Sequence, residues 1–125
     1  MKTTEIGRIG EEAVCTFLQK NGYKIVCRNY RISGGEIDII AENNEYRVFV
    51  EVKTRKSSGA VKGIESVTSG QQKRIICTAI NYDIENESFL QPRYDIAGVV
   101  LKSGKVVSID YLENAFDATG LDMIF

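Results

Sequence analysis

Histidine and tryptophan are missing from this chain of 125 residues, and proline occurs once, at Pro92. Without histidine there is no imidazole to ligate zinc and no histidine general base. The three cysteines, Cys15, Cys27 and Cys77, are odd in number and widely spaced. They exclude a paired disulfide frame or a cysteine metal knuckle, and read as buried, reduced thiols of a cytoplasmic protein. No apolar run approaches the roughly 18 residues of a membrane span. The polar start Met1-Lys2-Thr3-Thr4-Glu5 predicts no secretory signal. No membrane partner is expected. A strong positive charge is also lacking: the formal net charge is −1 and the isoelectric point about 5.5, whereas nucleic-acid-binding domains are often basic.

That charge is unevenly spread. Residues 1–82 carry 13 Lys/Arg against 9 Asp/Glu, and residues 83–125 carry 3 against 8. Lys20, Lys24, Arg28 and Arg31 lie in one stretch without acids, and Lys53, Arg55, Lys56 and Lys62 in another. Phosphate contacts from such groups give affinity without reading sequence. Hydrophobic content of 43% and charged content of 26% suit a single domain spanning residues 1–125.

The pattern reads as α/β. Thr4 is the expected N-cap of a helix whose stripe is Ile6, Ile9, Ala13, Val14, Phe17 and Leu18, ending at Asn21-Gly22. Glu11 borders that stripe on its Val14/Leu18 side, which favours it over Glu12 for facing a sheet. Tyr23 to Arg31 reads as a first strand, followed by a turn at Ile32 to Gly35. Lys56 to Ile64 reads as a loop long enough to close over a substrate. Ser69-x-x-Gln72 is a capping-box pattern, opening a second helix that runs to about Tyr82 and buries Ile75, Ile76, Ala79 and Ile80. Tyr94 to Leu101 and Val106 to Tyr111 read as two last strands around Ser103-Gly104. The tyrosines and Phe49 are scattered through strand positions and belong to the core rather than to a stacking platform. Arg93 and Asp95 share a strand face, where pairing with each other or with Arg55 is expected.

Two runs carry chemistry: Gly35-Glu36-Ile37-Asp38, and Glu51-Val52-Lys53 in the strand Tyr46 to Lys53. Alternation puts Glu36 and Asp38 on one face, opposite Ile37 and Ile39. It likewise separates Val48, Val50 and Val52 from Phe49, Glu51 and Lys53. An Asn43-Asn44 turn would pair Asp38 with Phe49 and Glu36 with Glu51, leaving Asp38 diagonal to Glu51. Facing carboxylates repel, and a divalent cation removes the conflict. Oxygen-only donors suit Mg²⁺, with Mn²⁺ as a substitute. A lone E-x-K on a strand is usually just a solvated, paired face. Two such runs on adjacent strands with matching faces are far more specific.

The order of Glu11, then GEID, then FVEVKTR resembles the PD-(D/E)xK nucleases, whose restriction-endonuclease-like fold is a mixed central β-sheet of about five strands flanked by α-helices. It is similar to the archaeal Holliday-junction resolvases and, more closely, to the YraN-like family of small bacterial proteins. Gly7 to Ala13, Arg28-Asn29-Tyr30-Arg31, Gly35 to Ile40 and Phe49 to Arg55 carry the resemblance, with Val67-Thr68, Arg93-Tyr94-Asp95 and Leu112 to Phe116. The resemblance implies that Asp38, Glu51 and the Val52 carbonyl bind metal. Lys53 would polarise the attacking water, and Glu11 would complete the acidic cluster, directly or through water. Glu36 belongs to the motif as a supporting residue. Related sequences carry a lysine where this chain has Gln71, with Lys73 and Arg74 nearby as compensating cations. Arg31, Arg55, Gln71, Lys73 and Arg74 are the expected nucleic-acid contacts. The implied activity is metal-dependent cleavage of DNA, branched or damaged, in recombination or repair. Two sites acting on a two-fold junction would call for a homodimer. The alternative is a catalytically silent nuclease-fold module that binds nucleic acid or protein.

Overall fold

The computed structural model describes residues 3–57 and 67–119. The elements run α1 (Thr3–Lys20), β1 (Lys24–Ile32), β2 (Gly35–Glu42), β3 (Tyr46–Lys56), α2 (Ser69–Asn86), β4 (Gln91–Lys102) and β5 (Lys105–Phe116). The five strands form one mixed sheet in the order β1-β2-β3-β4-β5. β3 and β4 are parallel, with α2 in the connection between them, and the other three pairs are antiparallel. Among the described residues no helix is long and apolar enough to cross a membrane.

Each helix covers one face. The stripe of α1 delivers Val14 and Leu18, both fully buried, onto Ile39, Ala41, Val48, Val50, Ala97 and Val99. The stripe of α2 sets Ile75, Ile76, Ala79 and Tyr82 against Ile37, Ile40, Phe49, Tyr94 and Ile96. Each of these buried side chains contributes about 1.5–3 kcal/mol for the larger aliphatics and aromatics. Aromatic rings run through the α2 layer in sequence, Tyr30 to Tyr82 to Phe49 to Tyr94 to Phe116, with centroids 5.0–6.2 Å apart. That is the core role expected of Tyr30, Phe49 and Tyr94.

Two close approaches fix the helices on the sheet. A Cβ at Gly10 of α1 would lie 1.8 Å from the Thr54 hydroxyl of β3. A Cβ at Gly35 of β2 would lie 1.9 Å from the hydroxyl of Thr78 on α2. Only glycine permits either contact.

Several boundaries and contacts differ from expectation. The first turn of α1 already includes Thr3, so Thr4 lies inside the helix instead of capping it. The capping box sits one residue earlier than Ser69/Gln72. The Thr68 hydroxyl accepts from the Gln71 N–H at 3.2 Å, and the Gln71 side chain accepts from the Thr68 N–H at 3.0 Å. α2 runs one turn beyond Tyr82. β4 and β5 are longer than their apolar runs, because pairing with a neighbour carries the ladder past them. Cys15 is buried, but Cys27 is half-buried and Cys77 exposed, since Cys77 lies on the solvent side of α2. Residues 58–64 of the loop after Lys56 lie outside the described residues.

Arg93 and Asp95 pair as expected. Asp95 is fully buried and receives two guanidinium nitrogens of Arg93 (3.0 and 2.8 Å), the Tyr111 hydroxyl (2.5 Å) and the Asn114 N–H (2.9 Å). Such a charge is tolerated in a core because every acceptor lobe is filled.

Candidate active site

The site begins where the sheet forks. β2 and β3 pair from Glu42↔Arg47 to Ile39↔Val50 and part there, while β1 and β2 stay paired down to Ile32↔Gly35. The turn that sets this register is not Asn43-Asn44. The Asn43 carboxamide accepts from the N–H groups of Glu45 (2.9 Å) and Tyr46 (2.7 Å), and the Asn43 N–H reaches the Tyr46 carbonyl. The chain therefore reverses at Asn44-Glu45. This moves the pairing by two residues, which keeps the faces of β3 as expected and brings Asp38 closer to Glu51. Past the fork, Asp38 reaches β3 through its side chain, at the Val52 N–H next to Glu51.

The fork also changes one side-chain assignment. Ile37 packs in the α2 layer and Ile39 in the α1 layer, so they do not share a face. Strict alternation fails because β2 leaves β3 between them, and because Asn29, across from Asp38 in β1, has φ of 50°.

Asp38 Oδ2 accepts a 2.8 Å hydrogen bond from the Val52 N–H. Glu51 and Lys53 follow on the α2 side of β3, with Lys53 Nζ 3.6 Å from Glu51 Oε1. Burial pushes the Asp38 carboxyl up to about 7, helped by the charge of Glu51 and opposed by the Val52 N–H. Burial also raises Glu51, against the attraction of Lys53. Two carboxyls with raised proton affinity, set against each other, form a group whose repulsion a divalent cation would relieve. Mg²⁺ is typically held by one or two carboxylates and keeps several waters. Asp38 and Glu51, with the adjacent Val52 carbonyl, fit that donor set. Among the described residues, no three His, Cys, Asp or Glu side chains converge as a metal cage.

Glu11 stands next to this pair without joining it. Its Oε1 accepts from Asn29 Nδ2 at 3.2 Å and lies 3.7 Å from Arg28 Nη2. Glu12 points away to the other nitrogen of Arg28 at 2.5 Å and its side chain is 62% exposed, against 18% for Glu11. The preference for Glu11 over Glu12 thus has a geometric basis.

Two recesses meet at Glu36; Glu51 lines one and Glu11 the other, and Asp38 lines neither. One, about 280 Å³, is lined by Gly35, Glu36, Glu51, Gln71, Arg74 and Ile75. The other, about 520 Å³, includes Arg8, Glu11, Arg28, Asn29, Arg31 and Glu36. Glu36 is tied to Arg31 at 3.1 Å. The Gln71 carbonyl oxygen is committed to the α2 cap, so only its amino group is free to meet a ligand. Arg55 and Lys73 line neither recess. A third hollow, about 460 Å³, is lined by Lys56 and Lys102, with no acid among the described residues.

Residues 10–99 match the model of the uncharacterised protein family UPF0102. The chain belongs to this family. It is the YraN-like family that the sequence motifs resemble. A UPF0102 protein of Dictyoglomus turgidum is 40% identical over 119 residues, covering 93% of this chain and 100% of that protein. One from Desulfosudis oleivorans is 41% identical over 115 residues, covering 91% of each. One from Carboxydothermus hydrogenoformans is 39% identical over 121 residues, covering 94% and 99%. The family-model match of this UPF0102 chain takes in Glu11, GEID, EVK and both close glycine contacts. Sequence reasoning gave Arg8 and Asn29 no function, and Arg28 only a general part in a basic stretch suited to phosphate. The available signals were the three-residue spacing of Arg8 from Glu11 on one helix face and an asparagine between two arginines inside a strand.

Proposed function

We propose that this UPF0102 chain is a metal-dependent nuclease with the restriction-endonuclease-like fold, hydrolysing phosphodiester bonds of nucleic acid, with DNA as the first substrate class. One observation carries the reading: at the fork of the sheet, two proton-hungry carboxylates, Asp38 and Glu51, face each other beside Lys53. A structural ion pair would be balanced one to one; this group is an acid pair with a single lysine.

In this reading Asp38, Glu51 and the Val52 carbonyl hold Mg²⁺ or Mn²⁺, and Glu11 contributes through water. When bound, the ion lowers the pKa of water and polarises the scissile phosphate. Lys53 offsets the charge that develops on the phosphoryl oxygens. Arg74 and the free amino group of Gln71 on one side, and Arg8 and Arg31 on the other, are placed along the recesses to meet flanking phosphates. Lys73 and Arg55, which line neither recess, add to the positive charge of the chain. Branched DNA suits a paired arrangement of two such sites, and a homodimer would provide it.

The committed cap at Gln71 and the absence of three converging acids among the described residues favour a second reading, a binding module without catalysis. End-labelled duplex, single-stranded, flap and four-way-junction DNA, incubated at low salt with Mg²⁺, Mn²⁺ or EDTA, separates them. Metal-dependent cutting that disappears in Asp38→Asn establishes the nuclease. Binding without cutting, unchanged in Asp38→Asn, replaces it with the module.

A further inference from the structure

Asn29 lies within strand β1, yet its φ is 50°, in the left-handed region that most side chains avoid and asparagine tolerates. The other described non-glycine residues with positive φ have local reasons: Glu87 caps α2, Ser103 sits in the β4–β5 turn and Asn114 beside an irregularity in the β4–β5 ladder. No turn or helix end explains Asn29. The pairs Arg28↔Ile39 and Tyr30↔Ile37 instead set it directly across from Asp38. Its amide donates to Glu11 Oε1 at 3.2 Å, and it lines the recess that holds Glu11, Arg31 and Glu36.

We infer that Asn29 is a positioning residue, whose left-handed backbone takes its amide out of the alternation of β1 and onto Glu11, holding the helix acid beside Asp38. This rests on the metal-site reading above. The choice of donor matters. Arg28 stands 3.7 Å from the same oxygen, and a guanidinium in full contact would cancel the charge that Glu11 brings to the site. The neutral amide orients one oxygen without adding a positive charge of its own, and the close contact of Arg28 goes to Glu12 instead. The other oxygen stays available for a metal-bound water. Partners that orient a ligand in this way typically alter metal affinity about 10- to 100-fold when removed. Backbone strain at the same position is the kind retained at functional sites.

Asn29→Gly separates this role from a structural one, because glycine adopts φ of 50° without strain. The variant is expected to melt at or above the wild-type temperature while binding Mn²⁺ about tenfold or more weakly, read from the electron paramagnetic resonance signal of free Mn²⁺. Because Asn29 acts through Glu11, the double variant Asn29→Gly/Glu11→Gln is expected to bind no more weakly than Glu11→Gln alone. Wild-type affinity in Asn29→Gly overturns the positioning role and leaves the metal site standing, as does full additivity in the double variant. Wild-type protein that binds Mn²⁺ no better than Asp38→Asn overturns the metal site, and this inference with it.

Discussion

Replacing Gly10 with alanine tests how the first helix is held. In α1 two glycines stand one turn apart, and only one touches the sheet. A Cβ at Gly7 meets nothing within 4 Å; a Cβ at Gly10 meets the Thr54 hydroxyl at 1.8 Å, its Cβ at 2.9 Å and its Cγ2 at 3.1 Å. Either alanine gains about 0.5–1 kcal/mol from lower chain entropy in the unfolded state and better helix propensity. At Gly10 that gain is opposed by overpacking of about 1–3 kcal/mol, against strand atoms that have little room to retreat. Gly7→Ala is expected to raise stability by up to about 1 kcal/mol, and Gly10→Ala to lower it by about 1–2 kcal/mol. At about 4 °C per kcal/mol the two variants should melt roughly 8–12 °C apart. The Thr54 hydroxyl is buried without a hydrogen-bond partner, so Thr54→Ala alone is nearly neutral. Combined with Gly10→Ala it should recover most of the loss. Urea unfolding followed by far-ultraviolet circular dichroism measures all four, as the chain has no tryptophan. Equal stability of the two glycine variants, or no rescue by Thr54→Ala, refutes the contact. Because Glu11 is the next residue, Mn²⁺ affinity should weaken in Gly10→Ala and stay unchanged in Gly7→Ala.

The elevated Asp38 gives a pH dependence of defined sign. Its carboxyl rises from 3.8 to about 7 on folding, so between those values the native state holds a proton that the unfolded chain releases. Metal-free stability should therefore fall as pH rises from about 4 to about 7, and Asp38→Asn should flatten that fall; an unchanged slope in the variant refutes the assignment. Mn²⁺ binding should tighten over the same range, as the ligand must lose its proton, which calorimetric titration at several pH values checks. Arg93→Met leaves the fully buried Asp95 without its guanidinium and should cost about 3 kcal/mol or more. The surviving folded protein should bind Mn²⁺ normally, since the Arg93–Asp95 cluster does not line the recesses around the acids; weakened binding would show that the cluster supports the site.

Periodicity was enough to place both helices and all five strands of the described residues, because Val14 and Leu18 repeat at helical spacing and Val48, Val50 and Val52 at strand spacing. It was enough to put Glu51 and Lys53 on the side of β3 opposite Val48, Val50 and Val52, since a two-residue change in register leaves the faces of β3 untouched. It could not locate the turn. Asn43 and Asn44 have the same local preference, and the choice was made by the Asn43 side chain bonding forward to Tyr46. It could not show where β2 leaves β3 either, so the separation of Ile37 from Ile39 was invisible. The cap fell one residue away for a similar reason: Thr68 and Ser69 are both good caps, as are Gln71 and Gln72 as partners. Asn29 was illegible in a stronger sense. Nothing local demands a left-handed residue there, and its partner Glu11 is 18 positions away in the chain.

The fork leaves one backbone amide in an unusual position. The Val52 N–H, which would otherwise meet β2, is held by a carboxylate whose charge depends on pH and on what binds beside it. Its rate of exchange with deuterated solvent, and its proton chemical shift, therefore report on the ionisation of Asp38. The site carries its own spectroscopic indicator, readable without label or ligand, in a strand whose other amides serve as the internal reference.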